Sequence, residues 1–289
     1  MEEQQLLSKV RRIEIKTRGL SRHLFSGAYH SVFKGRGMSF SEVREYSYGD
    51  DVRHIDWNVT ARSEQAYVKV YEEERELSIL LVLDISRSTL FGSTEQTKAE
   101  WMAEIASVLA FAASQNQDKV GLLLFSDKIH LYIPPKKGRQ HILRLIREIL
   151  FERKDIGKTN LQHALEYLRG VLKKRSVCFV ISDFQFEIPD QQIKQIAKRH
   201  DLIAMQILDP LEWNIPNVGL ISIRDYENND FLVLDTSNIN EMNKLQSKIK
   251  EKNISIKNSF IRSNAEFIHL DVRTSYIKIL LQFFKNRRR

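Results

Sequence analysis

The segment SILLVLDISRS, residues 78–88, decides the fold class of this chain of 289 residues. Residues 78–83 form a mostly apolar run of the length of a buried strand, and the run ends at Asp84. Beyond it, segments of helical period, the first at 97–114, alternate with further short apolar runs, the next at 120–125. This alternation is typical of a mostly parallel sheet with flanking helices. The sequence therefore predicts an α/β fold.

The sequence predicts two regions. Residues 1–76 begin with a helix at about 6–16 and continue as a smaller N-terminal β/loop region that is rich in Gly, Tyr and Arg. Residues 77–289 form the sheet domain, because the alternation of apolar runs and helical segments extends over this part.

Two hairpins are predicted within the sheet domain. Residues 129–133 follow the preceding strand after only three residues, which is too short for a parallel crossover, and Pro134-Pro135 is predicted to end the strand. Residues 220–223 and 231–234, separated by polar turn residues, are predicted as an inserted hairpin near 210–235.

Three oxygen-bearing side chains stand together at the end of the first strand. Asp84, Ser86 and Ser88 form a D-x-S-x-S pattern, and alternate residues of an extended loop point to the same side. Ligands of parallel sheets gather at the carboxyl ends of the strands. Mg²⁺ and Mn²⁺ prefer oxygen ligands, and Mg²⁺ retains several waters. The pattern therefore predicts a site for one of these two ions.

Two further residues fit the same edge of the sheet. Asp183 follows the apolar run 177–181, and Thr159 lies in the loop before the next predicted helix. Taken singly, Thr159 could be a helix N-cap with Gln162 as its capping-box partner, and Asp183 a turn residue. Taken together, the five residues match the metal-ion-dependent adhesion site of von Willebrand factor A (VWA) domains: Asp84, Ser86, Ser88, Thr159 and Asp183.

A second signature precedes the sheet domain. It consists of Gly35-Arg36-Gly37-Met38-Ser39-Phe40, Arg44-Glu45-Tyr46, Gly49-Asp50-Asp51-Val52-Arg53, Ile55-Asp56-Trp57, Ala61-Arg62 and Val68-Lys69-Val70-Tyr71. With the adhesion-site residues, the chain resembles the bacterial family known as domain of unknown function 58, a VWA-like family. One departure is Thr89, where many members have Met. The resemblance implies a VWA-like fold and association with a MoxR-type AAA+ ATPase.

The expected function is that of a non-enzymatic binding module. Its Mg²⁺ or Mn²⁺ would keep a coordination position for an acidic residue of a partner, in an adaptor or co-chaperone that serves the ATPase and an unidentified client protein. A metal-assisted phosphohydrolase is the alternative. That reaction needs a base near the ion, for which the nearby candidates are Asp127 and Asp155.

The arginines of the second signature have two interpretations. Arg44, Arg53 and Arg62 could form a docking surface for an acidic partner. Alternatively, arginines of this region could pair with neighbouring aspartates and hold an irregular segment in place by charge-assisted hydrogen bonds. The sequence leaves both interpretations open.

The net charge of +8 is concentrated at the C-terminal end, since residues 236–289 hold 12 basic and 4 acidic residues. A basic helix end explains this excess better than nucleic-acid binding does, because the sequence lacks a basic patch interleaved with aromatic residues. Nucleic acid is therefore not expected as a partner. Uncharged apolar stretches are too short to span a membrane, and the acidic, polar start of the chain is unlike a signal peptide. A cytoplasmic location is expected.

Overall fold

The structure is a computed structural model that describes residues 8, 10–11, 14–15, 39–63, 65–72, 77–151, 157–224 and 231–287. The strands are β1 (Ser39–Glu45), β2 (Tyr67–Glu72), β3 (Ser78–Asp84), β4 (Lys119–Phe125), β5 (Ile129–Lys136), β6 (Val177–Ser182), β7 (Asp201–Leu208), β8 (Leu220–Arg224), β9 (Phe231–Asp235) and β10 (Glu266–Asp271). The main helices are α1 (Lys98–Gln115), α2 (Arg139–Leu150), α3 (Leu161–Val171), α4 (Asp190–Arg199), α5 (Ile239–Arg262) and α6 (Tyr276–Asn286). Short helical turns cover Val52–His54, Trp57–Thr60, Arg87–Leu90 and Pro210–Glu212.

A six-stranded sheet forms the centre of the fold, with the strand order β10-β7-β6-β3-β4-β5. The strand β3 lies inside the sheet and pairs in parallel with β4 and β6, and only β5 runs antiparallel to its neighbour. The predicted α/β fold class, a mostly parallel sheet with flanking helices, is confirmed.

The edge strand β5 is longer than predicted. It continues through Pro134 and Pro135 to Lys136, so the predicted end of the strand at these prolines is wrong. An edge strand tolerates proline because one side of its backbone makes no ladder hydrogen bonds. The register of β5 also shifts opposite Gly121, where an added Cβ would press against both Ile133 and Pro135.

Helices cover both faces of the central sheet. On one face, Leu80 and Val82 of β3 belong to a buried apolar cluster with residues of α3, α4 and α5. The helix α1 is buried along most of its length and also packs against α2. It contacts α6 through Trp101 and Tyr276, whose rings meet edge to face with centroids 5.6 Å apart. Burial of β3 on both faces explains its continuous apolar sequence.

The described residues form two compact units: one lies within 33–77, and the other combines those before 33 with those after 77. The smaller unit contains the antiparallel pair of β1 and β2. The predicted inserted hairpin is present as β8 and β9. A domain boundary after residue 76 remains a prediction. None of the described helices is both long and apolar enough to cross a membrane.

Candidate metal centre

Asp84 lies at the carboxyl end of β3 and is almost completely buried. Its Oδ1 accepts a hydrogen bond of 2.8 Å from the backbone N–H of Ser86, and its Oδ2 accepts one of 2.6 Å from the hydroxyl of Ser182. These two bonds leave lone pairs on both carboxylate oxygens, so Asp84 is held in place and is still able to accept a further ligand.

Ser86 and Ser88 lie beside this carboxylate. Their hydroxyl oxygens are 3.1 Å apart, so the expected convergence of the two side chains is present. The loop is closed by Thr89, which donates both its backbone N–H, over 3.1 Å, and its hydroxyl, over 2.7 Å, to the carbonyl of Ser86. Thr89 thus stabilises the turn that presents the two serines.

Asp183 follows the neighbouring strand β6 and is completely buried. Burial and the negative charge of Asp183 raise the pKa of Asp84 well above the ordinary value for an aspartate. The like charge of Asp183 thus disfavours the ionised form of Asp84. Asp183 also accepts a hydrogen bond of 3.3 Å from the backbone N–H of Gln185, so its predicted role in the turn is present too. We call Asp84, Ser86, Ser88 and Asp183 the oxygen cluster.

Lys98, the first residue of α1, reaches the oxygen cluster and was not among the predicted site residues. Its Nζ lies 2.7 Å from Oδ2 of Asp183, and it also pairs with Glu212 of the helical turn after β7. Burial opposes its charged form, but the charges of Asp183 and Glu212 outweigh this effect and raise the pKa of Lys98. The sequence contains a signal for the burial of Lys98 but not for its partners. Lys98 lies one helical turn before the buried Met102, on the same face of α1.

Thr159 lies in the loop that precedes α3. Asn160, not Thr159, is the N-cap of α3, since its side chain accepts the backbone N–H of His163 over 3.0 Å. The alternative that Thr159 caps this helix is therefore wrong. The backbone N–H of Asn160 donates to the carbonyl of Ser126 over 2.8 Å, which places the loop at the end of β4, next to β3. The half-buried Thr159 thus lies at the predicted edge of the sheet.

Asp127, one of the two candidate bases, is exposed and lies against the same loop. It accepts a hydrogen bond of 2.7 Å from the hydroxyl of Ser126, and this bond lowers the pKa of Asp127. A Cβ added to Gly157 would overlap the carboxylate of Asp127, so this close approach requires glycine. Asp155, the other candidate, lies outside the described residues, as do Gly35–Met38 of the second signature.

A divalent cation fits the oxygen cluster on charge and donor chemistry. Asp84, Asp183 and Glu212 carry three negative charges when ionised and Lys98 carries one positive charge, so a divalent ion would balance the remainder. Among the described residues, no three His, Cys, Asp or Glu side chains converge as metal ligands. The hydroxyl oxygens of Ser86 and Ser88, together with water, would add neutral ligands of the kind that Mg²⁺ accepts.

The predicted docking arginines belong to the smaller unit. Arg44 binds Asp50 with two hydrogen bonds of 2.9 and 2.7 Å, and Arg53 binds Asp51 in the same manner, with its shortest contact at 2.7 Å. Arg62 is exposed. Pairs with neighbouring aspartates support the structural interpretation for Arg44 and Arg53, although the Arg53 side chain remains 84% exposed. Docking through the three arginines remains a prediction.

Comparison with known proteins identifies the family. A family model described as "Protein of unknown function DUF58" matches residues 42–253. The uncharacterized protein Mb1516 of Mycobacterium bovis is 30% identical over 230 residues, which are 78% of this chain and 73% of that protein. An aerotolerance-related membrane protein from Bacteroides fragilis aligns with a TM-score of 0.47 and 17% identity, over 73% of this chain and 99% of the other. The SpRpn10 VWA domain aligns with a TM-score of 0.41 and 8% identity, over 72% and 95%. No name among these indicates catalysis. On the family match and the sequence identity, the chain belongs to the DUF58 family.

Proposed function

We propose that this protein is a non-enzymatic interaction module that binds Mg²⁺ or Mn²⁺ at the oxygen cluster, where a partner's carboxylate completes the coordination of the ion. The observation that carries the proposal is the buried pair of Asp84 and Asp183 beside the hydroxyls of Ser86 and Ser88. Membership of the DUF58 family, which the sequence resemblance relates to VWA domains, supports an interaction module at a coarse level.

The proposed ligands divide into charged and neutral groups. Asp84 would provide the negative charge nearest to the ion, because both of its oxygens are oriented by the protein. Ser86, Ser88 and Thr159 would provide neutral oxygens, and Asp183 would act directly or through water. When bound, the ion supplies a positively charged coordination position that attracts an anionic ligand.

The burial of the carboxylates makes this arrangement suitable for binding. Without a cation, burial and the nearby negative charge of Asp183 disfavour the ionised form of Asp84. Neutral hydroxyls on the remaining positions leave the ion more positive than a set of carboxylates would. A carboxylate from a partner is therefore the expected additional ligand.

The proposed partner is a MoxR-type AAA+ ATPase, and the chain would act as its adaptor or co-chaperone for a client protein in the cytoplasm. This part of the proposal depends on the family resemblance of the sequence. Either the ATPase or the client could supply the acidic residue, and binding measurements with the purified ATPase distinguish these cases.

The experiment measures binding of the full chain to the purified MoxR-type ATPase of the same organism by biolayer interferometry. We expect binding in excess Mg²⁺ that is weakened both by EDTA and by Asp84→Asn. The matched control is Asp271→Asn, because Asp271 also ends a parallel strand at this edge but pairs with Arg273. Binding that survives EDTA and Asp84→Asn, and is lost in Arg53→Ala, would instead assign docking to the arginine surface.

A further inference from the structure

Lys98 is the most unusual charged group among the described residues of the sheet unit. Its side chain is fully buried, and the Asp183 side chain that it contacts is fully buried too. Lysine is rarely buried to this extent, because the loss of hydration is costly unless the ammonium is paired. Here it is paired twice, with Asp183 and with Glu212.

The ammonium links the oxygen cluster to the segment after β7. Glu212 lies in the turn Pro210–Glu212, and its second carboxylate oxygen accepts the backbone N–H of Asp209 over 3.0 Å. Asp209 in turn accepts the backbone N–H of Ser93, over 2.8 Å, from the loop that precedes α1. The position of Lys98 is thus determined from both sides and does not depend on a flexible surface contact.

The location of the ammonium has an electrostatic consequence for any ion at the oxygen cluster. Asp183 already balances the positive charge of Lys98 through its Oδ2 atom. A divalent ion that approached the same carboxylate would share it with the ammonium, and the two cations would repel each other in a region of low dielectric constant. The carboxylate of Asp183 is therefore only partly available to the ion.

We propose that Lys98 is a positioning residue that holds Asp183 and weakens the intrinsic affinity of the oxygen cluster for divalent ions, so that firm ion binding requires an anionic ligand from the partner. This inference rests on the proposed function of the site. Lys98 would couple ion binding to partner binding. It neutralises part of the negative charge of Asp183, and the partner's carboxylate replaces that charge next to the ion.

The test measures the affinity of the full chain for Mn²⁺ alone by isothermal titration calorimetry, with folding checked by circular dichroism. Lys98→Met removes the charge but keeps a side chain of similar length. We expect this variant to bind Mn²⁺ about tenfold more tightly than wild type, or tighter still. If Lys98 had a purely structural role, Lys98→Met would bind Mn²⁺ more weakly than wild type, because the ligands would no longer be held in place. Lys69→Met, which removes a lysine paired with Asp56 in the smaller unit, is the control and should leave the affinity unchanged.

A second variant applies if Lys98→Met does not fold. Glu212→Gln keeps the shape of the side chain and leaves Asp183 as the remaining carboxylate paired with Lys98. Asp183 is then less available to the ion, so Mn²⁺ should bind more weakly than to wild type. A folded Lys98→Met protein with wild-type or weaker affinity would overturn the inference and leave the proposed function intact, as would a Glu212→Gln protein with wild-type or tighter affinity. Absence of Mn²⁺ binding in wild type and in both variants would instead reject the proposed function, and the inference with it.

Discussion

Ser182 donates its hydroxyl to Oδ2 of Asp84 over 2.6 Å, and this bond joins the carboxyl ends of the neighbouring strands β6 and β3. Both residues are buried. The Ser182 hydroxyl oxygen also accepts the backbone N–H of Phe184 over 3.0 Å. Ser182 therefore orients the central carboxylate of the oxygen cluster without being one of the proposed ligands.

Replacing Ser182 by alanine should destabilise the protein. The change removes the donor to a buried carboxylate and leaves the N–H of Phe184 without this acceptor, for a loss of about 1–3 kcal/mol in the free energy of unfolding. Urea denaturation followed by circular dichroism measures this difference. Ser237→Ala is the control, because Ser237 makes the same type of bond, 2.5 Å to Asp235, at an exposed position. Equal stability of Ser182→Ala and wild type would contradict the assigned role.

Gly157→Ala should disturb the loop that carries Thr159. The added Cβ would overlap the carboxylate of Asp127, so either the loop or Asp127 must move. Because the atoms that the Cβ would meet are the far end of an exposed side chain that can rotate away, we expect a loss of only about 0.5 kcal/mol. Gly170→Ala is a matched control: its Cβ would meet nothing within 4 Å on α3, and alanine there should stabilise the helix by up to about 1 kcal/mol. If the two variants had equal melting temperatures, the close approach to Asp127 would be wrong.

The single cysteine should be chemically inert in the folded protein. Cys178 lies in β6 with no exposed surface, and burial raises the pKa of its thiol to about 12. At about pH 8, where an exposed thiol is partly ionised, we expect no reaction with Ellman's reagent in the native state. One equivalent should react after denaturation in urea. Rapid native reaction would show that β6 is more accessible than the structure indicates.

The phosphohydrolase alternative predicts turnover that the proposed module should not have. We expect no Mg²⁺-dependent hydrolysis of p-nitrophenyl phosphate by the purified protein. Asp127 is the described candidate base, so Asp127→Asn provides the decisive variant. Hydrolysis that required Mg²⁺ and disappeared in both Asp84→Asn and Asp127→Asn would establish an enzyme at this site.

The central strands were predictable because burial on both faces leaves a continuous apolar run. The run at 78–83 became β3, and the oxygen-bearing residues after it lie at the carboxyl edge as expected. The end of β5 was not predictable from Pro134-Pro135, because the position of a strand at the edge of a sheet is a property of the tertiary fold.

The pairing of Lys98 was also beyond local sequence patterns. Its partners Asp183 and Glu212 are 85 and 114 positions away, and no periodicity relates residues at such separations. The placement of Asp84, Ser86, Ser88 and Asp183 at one edge of the sheet could be predicted, because each lies at or just after the end of a parallel strand. Lys98 is the first residue of a helix, and no local sequence pattern indicates that Asp183 and Glu212 are its partners.

Calorimetric titration of Mn²⁺ into wild type and Asp84→Asn tests the central claim most directly. Asparagine keeps the shape of the side chain and removes the charge nearest to the proposed ion, so we expect the affinity of the variant to fall by about tenfold or more. Asp271→Asn should bind Mn²⁺ as wild type does. Equal Mn²⁺ affinity of wild type and Asp84→Asn, or absence of binding by both wild type and Lys98→Met, would contradict a metal centre at the oxygen cluster.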